Sequence, residues 1–252
     1  MKALIFAAGL GTRLKPVTDQ LPKALVQVGG KTLLQHVIEK LVKAGFNEIV
    51  INVHHFPDMI GDFLVKNLNF GITIHLSDES DALLDTGGGL LKAAEWLKGD
   101  EPFLVHNVDV ISDLDLKLLF DYHVRENRLA TLVIRNRPTN RYLLFNDKLR
   151  LIGWTDTSTG EIKQAVPFRD KDAFPLAFSG IQIINPEIFN LIRRRGKFSI
   201  IDAYLDLTGD YPVYGFQDDA SCWMDVGKVE HLYQAEKFME KYTFHSDRQT
   251  LL

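Results

Sequence analysis

The sequence predicts an α/β fold, a mostly parallel sheet flanked by helices, with a β-rich region added in the second half of the chain. Short apolar runs alternate with helix-period segments up to about residue 135, the rhythm of repeated strand–helix–strand units. Beyond Asn136 that rhythm gives way to strand-like stretches separated by polar, proline-containing loops.

Lys2 to Ala7 is a short apolar run closed by Gly9, which suits a central parallel strand. Leu33, Leu34, Val37, Ile38, Leu41 and Val42 recur at helical spacing behind Thr32, an N-cap, and Gly45 stops that helix. Glu48 to Val53 is the next strand. A weaker helix after Pro57 carries Ile60, Phe63, Leu64 and Leu68, and Ile72 to Leu76 is a third strand. Leu90 to Leu97 is helical, with Trp96 on its apolar face, and Pro102 to His106 is a fourth strand. Leu116 to Val124 forms another amphipathic helix before a strand from Leu129 to Ile134. In the second half Tyr142 to Phe145, Leu149 to Trp154 and Phe178 to Ile184 read as strands laid along the sheet edge, covering one side of a cleft. Pro186 starts a short helix ending near Gly196. Val229 to Tyr242 is a closing amphipathic helix, after which the polar tail is expected to fray.

Composition excludes several classes. Of 252 residues 46% are hydrophobic and 25% charged, near globular averages, so disordered and fibrous proteins are set aside. A formal net charge of −4 gives no reason to expect a nucleic-acid or anionic-membrane surface. No stretch approaches the roughly 20 apolar residues needed to cross a bilayer. The N-terminal apolar run is too short for a secretion signal. Cys222 is the single cysteine; no intrachain disulfide can form, which fits a cytoplasmic location, and its apolar context suggests core. The adjacent His54 and His55 would point to opposite faces of a strand and make a poor metal pair.

The most informative segment is Ala7-Ala8-Gly9-Leu10-Gly11-Thr12-Arg13-Leu14-Lys15-Pro16, continuing to Pro22-Lys23. It follows the first strand, where open α/β sheets place their ligand crevice. Its glycines allow positive φ and a close approach of backbone N–H groups to phosphate oxygens. Arg13 supplies a planar fork and Lys23 a mobile point charge, both expected to face solvent. Together they suit a triphosphate. A dinucleotide fingerprint fits poorly, with Leu14 at its third glycine position. A Walker A loop ending in Gly30-Lys31-Thr32 would need its leading glycine at Leu25, so that tripeptide is a turn.

On residues 7–14, Pro16, Thr18, Pro22 and Lys23, the chain resembles the sugar-1-phosphate nucleotidyltransferases, whose motifs recur in order along almost its whole length. The resemblance implies the nucleotide-diphospho-sugar transferase fold, a Rossmann-like sheet, as one domain over 1–252. Residues 1–135 would be the nucleotide-binding half, 136–227 the acceptor-side half and 228–252 the C-terminal helix and tail. It implies that Ala8, Gly9, Gly11, Thr12 and Arg13 embrace the triphosphate of a nucleoside triphosphate, and that Lys23 reaches the phosphates where transfer occurs. Arg13 and Lys23 are thus the expected catalytic residues. Asp85-Thr86-Gly87-Gly88-Gly89, read as a loop before a helix, would touch the nucleobase through Gly88; valine there should obstruct nucleotide while sparing stability. Asn107 would also contact the nucleotide.

Asp109 and Asp225, each at a strand's carboxyl end, would hold Mg²⁺, which is satisfied by one or two carboxylates plus phosphate and water. The family usually has Asn-Gly-Asp at the first site, so Val108 is a departure. Phe178, Ser179 and Gly180 resemble the strand lining the acceptor, a sugar 1-phosphate. A Glu-Lys-Pro string that often grips the acceptor phosphate is missing, leaving Lys163 and Arg141 as substitutes. Length and the Trp223-Met224-Asp225-Val226-Gly227 ending look most like N-acetylmuramate α-1-phosphate uridylyltransferases, with mannose-1-phosphate guanylyltransferases close behind. A catalytically silent subunit that binds nucleotide sugar is a rival, disfavoured by the presence of Arg13, Lys23 and both aspartates. Base, acceptor and oligomeric state are left open.

Overall fold

In the computed structural model, which describes residues 1–249, the chain begins β1 (Lys2–Phe6), β2 (Gln27–Val28), β3 (Lys31–Thr32), α1 (Leu33–Lys43), β4 (Glu48–Val53), α2 (Pro57–Lys66) and β5 (Thr73–Asp78). It continues with α3 (Asp85–Lys92), α4 (Ala94–Leu97), β6 (Phe103–Asn107), β7 (Val110–Ser112), α5 (Leu116–Glu126) and β8 (Ala130–Arg135). The second half supplies β9 (Arg141–Phe145), β10 (Leu151–Asp156), β11 (Glu161–Gln164), β12 (Phe174–Ile184), α6 (Ile188–Leu191), α7 (Ile200–Leu207), β13 (Val213–Gln217), β14 (Trp223–Asp225) and α8 (Val229–Gln249).

Local chemistry sets several boundaries as the sequence implies. Thr32 caps α1, accepting from the Gln35 N–H at 3.0 Å. At the other end Gly45, at φ +90°, lets its own N–H reach Val42 O while Phe46 N–H reaches Leu41 O, the paired bonds of a Schellman cap. Gly29 and Gly30, both at positive φ, form the two-residue turn between β2 and β3, so Gly30-Lys31-Thr32 is a hairpin and no phosphate loop.

Strand alternation builds the layers. Ala3 and Ile5 of β1 pack with Leu34, Ile38 and Leu41 of α1 and Leu119 of α5, whereas Leu4 and Phe6 face Leu90 of α3, Leu97 of α4 and Tyr204 of α7. Helices therefore cover both faces of one sheet, as expected. Its order is β11-β10-β9-β12-β6-β1-β4-β5, with β8 pairing β12 and β13. β1, β4, β5 and β6 run parallel; β12 enters antiparallel to β6, β8 and β9.

Four expectations are corrected. The β-rich region does not simply line the edge: β12 lies beside β6 in the middle of the sheet, and its run Gly180–Ile184 is buried, too apolar for an edge strand. The supposed glycine loop is helical, because α3 begins at Asp85 and takes in Gly87, Gly88 and Gly89. The closing helix continues past Tyr242 to Gln249, and positions 250–252 lie outside the described residues. Cys222 is exposed, not core. β11, β13, β14 and α7 give no clear sequence signal; β11 is exposed throughout and β14 is only 3 residues long.

Candidate active site

The segment after β1 is held by a buried polar relay. Asn52, at 3% exposure near the end of β4, accepts from the N–H groups of Ala7 at 2.6 Å and Ala8 at 3.2 Å. Its amide donates at 2.8 Å to Glu79, whose other oxygen accepts from Leu84 N–H. The Ala8 N–H is thus committed to the protein, leaving later loop N–H groups for phosphate. Gly11 is in the left-handed region at φ +62°, and a Cβ there would stand 2.8 Å from Thr18 Cγ2. Thr18 Oγ1 donates to Gly11 O at 2.8 Å, tying the loop shut over the short turn Thr12–Leu14. Gly9 has open space around it, and Gly9, Thr12 and Arg13 are solvent-facing. Lys23 is not: it is 9% exposed, and its ammonium pairs with Asp109 Oδ2.

Asp109 lies in the turn between β6 and β7. β14 pairs antiparallel with β7, setting Asp225 opposite Val110, and Val226 N–H donates to Asp109 O at 2.8 Å. This ribbon joins aspartates from the middle and the end of the chain. Asp225 Oδ1 is buried without a hydrogen-bond partner. Burial pushes the Asp225 carboxyl up and Asp109 adds to that, while Lys23, Arg13 and His231 pull it down. A Cβ on Gly227 would stand 2.7 Å from Asp225 Oδ1 and 2.9 Å from Arg13 Nη2, so the carboxylate and the guanidinium both flank that glycine without pairing. Two carboxylates, one of them with an orphaned buried oxygen, form a hard-oxygen donor set of the kind Mg²⁺ accepts. Among the described residues no group of three or more His, Cys, Asp or Glu could hold a metal; an ion here needs phosphate and water to complete its shell.

A cavity of about 340 Å³ opens beside this ribbon, lined by Ala8, Gly9, Lys23, Asn107 and Asp109 together with Leu83, Asp85, Thr86 and Lys197. Gly88 is absent from the lining: it is buried in α3, where a Cβ would meet Gly196 O at 2.3 Å. Asp85, at φ +59°, and Thr86 present the start of α3 to the cavity in its place. On the acceptor side, Ser179 and Gly180 sit where β12 shifts register between Phe178 and Gln182. Gly180, at φ +76°, brings that bulge against β6, since a Cβ would be 2.9 Å from Asn107 Nδ2. Ser179 O accepts from the Trp223 indole at 2.9 Å, and Ser179 Oγ is buried without a partner. Lys163 and Arg141 are engaged elsewhere, with Asp202 at 2.9 Å and Asp156 at 3.2 Å.

Sequence reasoning missed Asn52, Glu79, Thr86 and Lys197. Only Asn52, a lone polar residue in the apolar run of β4, carried a visible signal. His54 Nδ1 bonds Glu79 O at 2.6 Å, which accounts for that histidine structurally.

The chain is similar to known proteins over nearly its whole length. It is 34% identical over 231 residues to mannose-1-phosphate guanyltransferase of Yarrowia lipolytica, covering 90% of this chain and 61% of that one. It is 33% identical over 242 residues to N-acetylmuramate alpha-1-phosphate uridylyltransferase of Caulobacter vibrioides, covering 93% and 95%. The chain thus spans under two thirds of the guanyltransferase and nearly all of the uridylyltransferase. Its fold matches a solved UDP-glucose pyrophosphorylase complexed with UDP-glucose at TM-score 0.78 and 19% identity, covering 96% of this chain and 98% of that one. No described helix is long and apolar enough to cross a membrane. The model of the nucleotidyl transferase family matches residues 2–242, and the chain belongs to that family.

Proposed function

We propose that this protein joins a nucleoside monophosphate to a sugar 1-phosphate and releases pyrophosphate, with UTP and N-acetylmuramate 1-phosphate as its substrate pair, in the cytoplasm. The observation that carries the reaction is the meeting of Arg13, Lys23, Asp109 and Asp225 beside the glycine loop and its cavity. A phosphate monoester oxygen attacks the α-phosphorus, a new P–O bond forms, and the bond to the β-phosphate oxygen breaks with its electron pair leaving on pyrophosphate. The attacking group is already anionic, so no general base is required. Gly9 to Arg13 hold the triphosphate, Arg13 and Lys23 offset charge gathering on the departing pyrophosphate, and Asn107 fixes the nucleotide. Asp109 and Asp225 would hold Mg²⁺, which when bound neutralises phosphate charge between the two substrates.

The near end-to-end match with the uridylyltransferase favours the uridine pair. Comparable identity to guanyltransferases supports GTP with mannose 1-phosphate as the second reading. Pyrophosphate release, with each of five nucleoside triphosphates crossed with several sugar 1-phosphates, decides between them. Turnover with UTP and N-acetylmuramate 1-phosphate is the expected result, abolished by excess EDTA. Preference for GTP with mannose 1-phosphate moves the protein to the second reading, and no product with any pair removes both.

A further inference from the structure

Lys163 and Arg141, the two cations expected from the sequence to meet an acceptor phosphate, are spent in other ion pairs. Arg135 is spent as well, bonding Asp218 through both its carbonyl and its carboxylate and bonding Ser221 O at 2.9 Å. Arg137 differs. It is half-buried just beyond β8, forms no ion pair within 4.0 Å among the described residues, and lies with its guanidinium carbon 4.4 Å from the Trp223 ring centre. Its Nη2 donates to Phe178 O at 3.1 Å, its Nη1 makes only a long contact to Pro138 O at 3.4 Å, and its Nε is buried without a partner.

Position makes this economical cation informative. The bulge in β12 exposes two successive carbonyls: Phe178 O takes Arg137, and Ser179 O takes the Trp223 indole. Trp223 lies two residues before Asp225 on β14, so the same small frame that orients the guanidinium also orients the carboxylate. Unpartnered buried polar atoms gather around this frame: Arg137 Nε, Ser179 Oγ and Asp225 Oδ1. Native interiors rarely leave such atoms unsatisfied, and a cluster at one spot signals a polar ligand that completes them. Burial pulls the Arg137 charge down while Asp225 holds it up, yet an arginine stays charged at neutral pH.

We propose that Arg137 receives the phosphate of the sugar 1-phosphate, presenting a flat, pre-oriented fork to the monoester dianion beside Asp225. This rests on the nucleotidyl-transfer reading above. Stacking on Trp223 fixes the plane of the fork before the ligand arrives, so little rotamer freedom is lost on binding. A lysine would keep the charge but lose the two-point geometry.

Steady-state kinetics on the whole protein, with UTP and GTP each paired with N-acetylmuramate α-1-phosphate and α-D-mannose 1-phosphate, test the assignment. For the pair that wild type uses, Arg137→Ala should raise the KM for the sugar 1-phosphate by about 10- to 100-fold. The KM for the nucleoside triphosphate should stay within about twofold, since that ligand is held by the other half of the cleft. Arg137→Lys should fall between, and serves if the alanine variant does not fold. An acceptor KM unchanged in both variants overturns the proposal, as does an equal rise in both KM values, which would mark Arg137 as a structural prop for β14. No product from wild type removes the transfer reading, and the role of Arg137 with it.

Discussion

Asp225 is held in a setting that works against its own charge. It is largely buried, Asp109 stands beside it, and one of its oxygens has no hydrogen-bond partner. An ionised group is kept in such a place only when a ligand compensates it, and the unliganded protein bears the cost. Asparagine keeps the size and removes the charge. Asp225→Asn should therefore lower turnover by on the order of 10²-fold or more while leaving the melting temperature of the unliganded protein unchanged or slightly raised. Pyrophosphate release and thermal melts measure the two effects; a lower melting temperature with turnover per folded molecule retained would make this aspartate structural. Lys23 differs from the sequence expectation for a related reason. Nothing in Pro22-Lys23 reveals that its ammonium will turn inward onto Asp109, because that partner comes from a strand formed far along the chain.

Among the elements, α3 shows why a motif can be legible while its reason is not. Gly87, Gly88 and Gly89 suggest a flexible loop, yet each sits where a Cβ would strike a neighbour: Phe198, Gly196 O and Glu79 Oε1 at 2.3, 2.3 and 2.6 Å. Gly87 and Gly88 let α3 press against the segment entering α7, and Gly89 lets it approach Glu79, tertiary demands that local pattern does not record. Gly88→Val should accordingly lower thermal stability sharply, by several degrees or more, in place of the selective loss of nucleotide binding expected from sequence. A melt of the unliganded variant that matches wild type would restore the base-loop reading. By contrast Thr32 and Gly45 were legible as caps, since a cap depends only on residues within a turn. On α5, His123 is buried against β8 and bonds Thr131 Oγ1 at 2.8 Å; burial, helped by Arg128, pulls its pKa down to about 4 from 6.5. The neutral ring is favoured in the folded state, so this stability is full above about pH 6.5 and lost as pH falls towards 4, on the order of 2–3 kcal/mol. His123→Gln removes the titration, and its melting temperature should fall less between pH 7 and pH 5 than wild type does. Parallel slopes would show that other groups, His106 among them, dominate acid unfolding.

At the scale of the whole molecule, β12 binds the halves that the sequence suggested were laid side by side. It pairs with β6 of the first half and with β8 and β9, and it gives Ile181 and Ile183 to one core and Leu176 and Ile184 to the other. A chain built this way should unfold as one unit. Differential scanning calorimetry is expected to give a single transition with equal calorimetric and van't Hoff enthalpies, and two resolved transitions would show that the halves are separate domains. The alternation of strands and helices was legible because it is written in periodicity. The place of β12 was not, because strand order is settled by pairing between distant segments. Phe178 and Ser179 were named from the resemblance, but their bonds to Arg137 and Trp223 were hidden likewise, being assembled from separate strands.

The ribbon of β7 and β14 has a consequence in time as well as in space. A ribosome makes the glycine loop and Lys23 first, Asp109 later, and Asp225 later still. A growing or truncated chain that stops short of β14 would carry every residue lining the cavity, Asp109 among them, yet lack Asp225. The order of residues along the polypeptide thus makes the ribbon, and the approach of the two aspartates that it brings about, wait for β14.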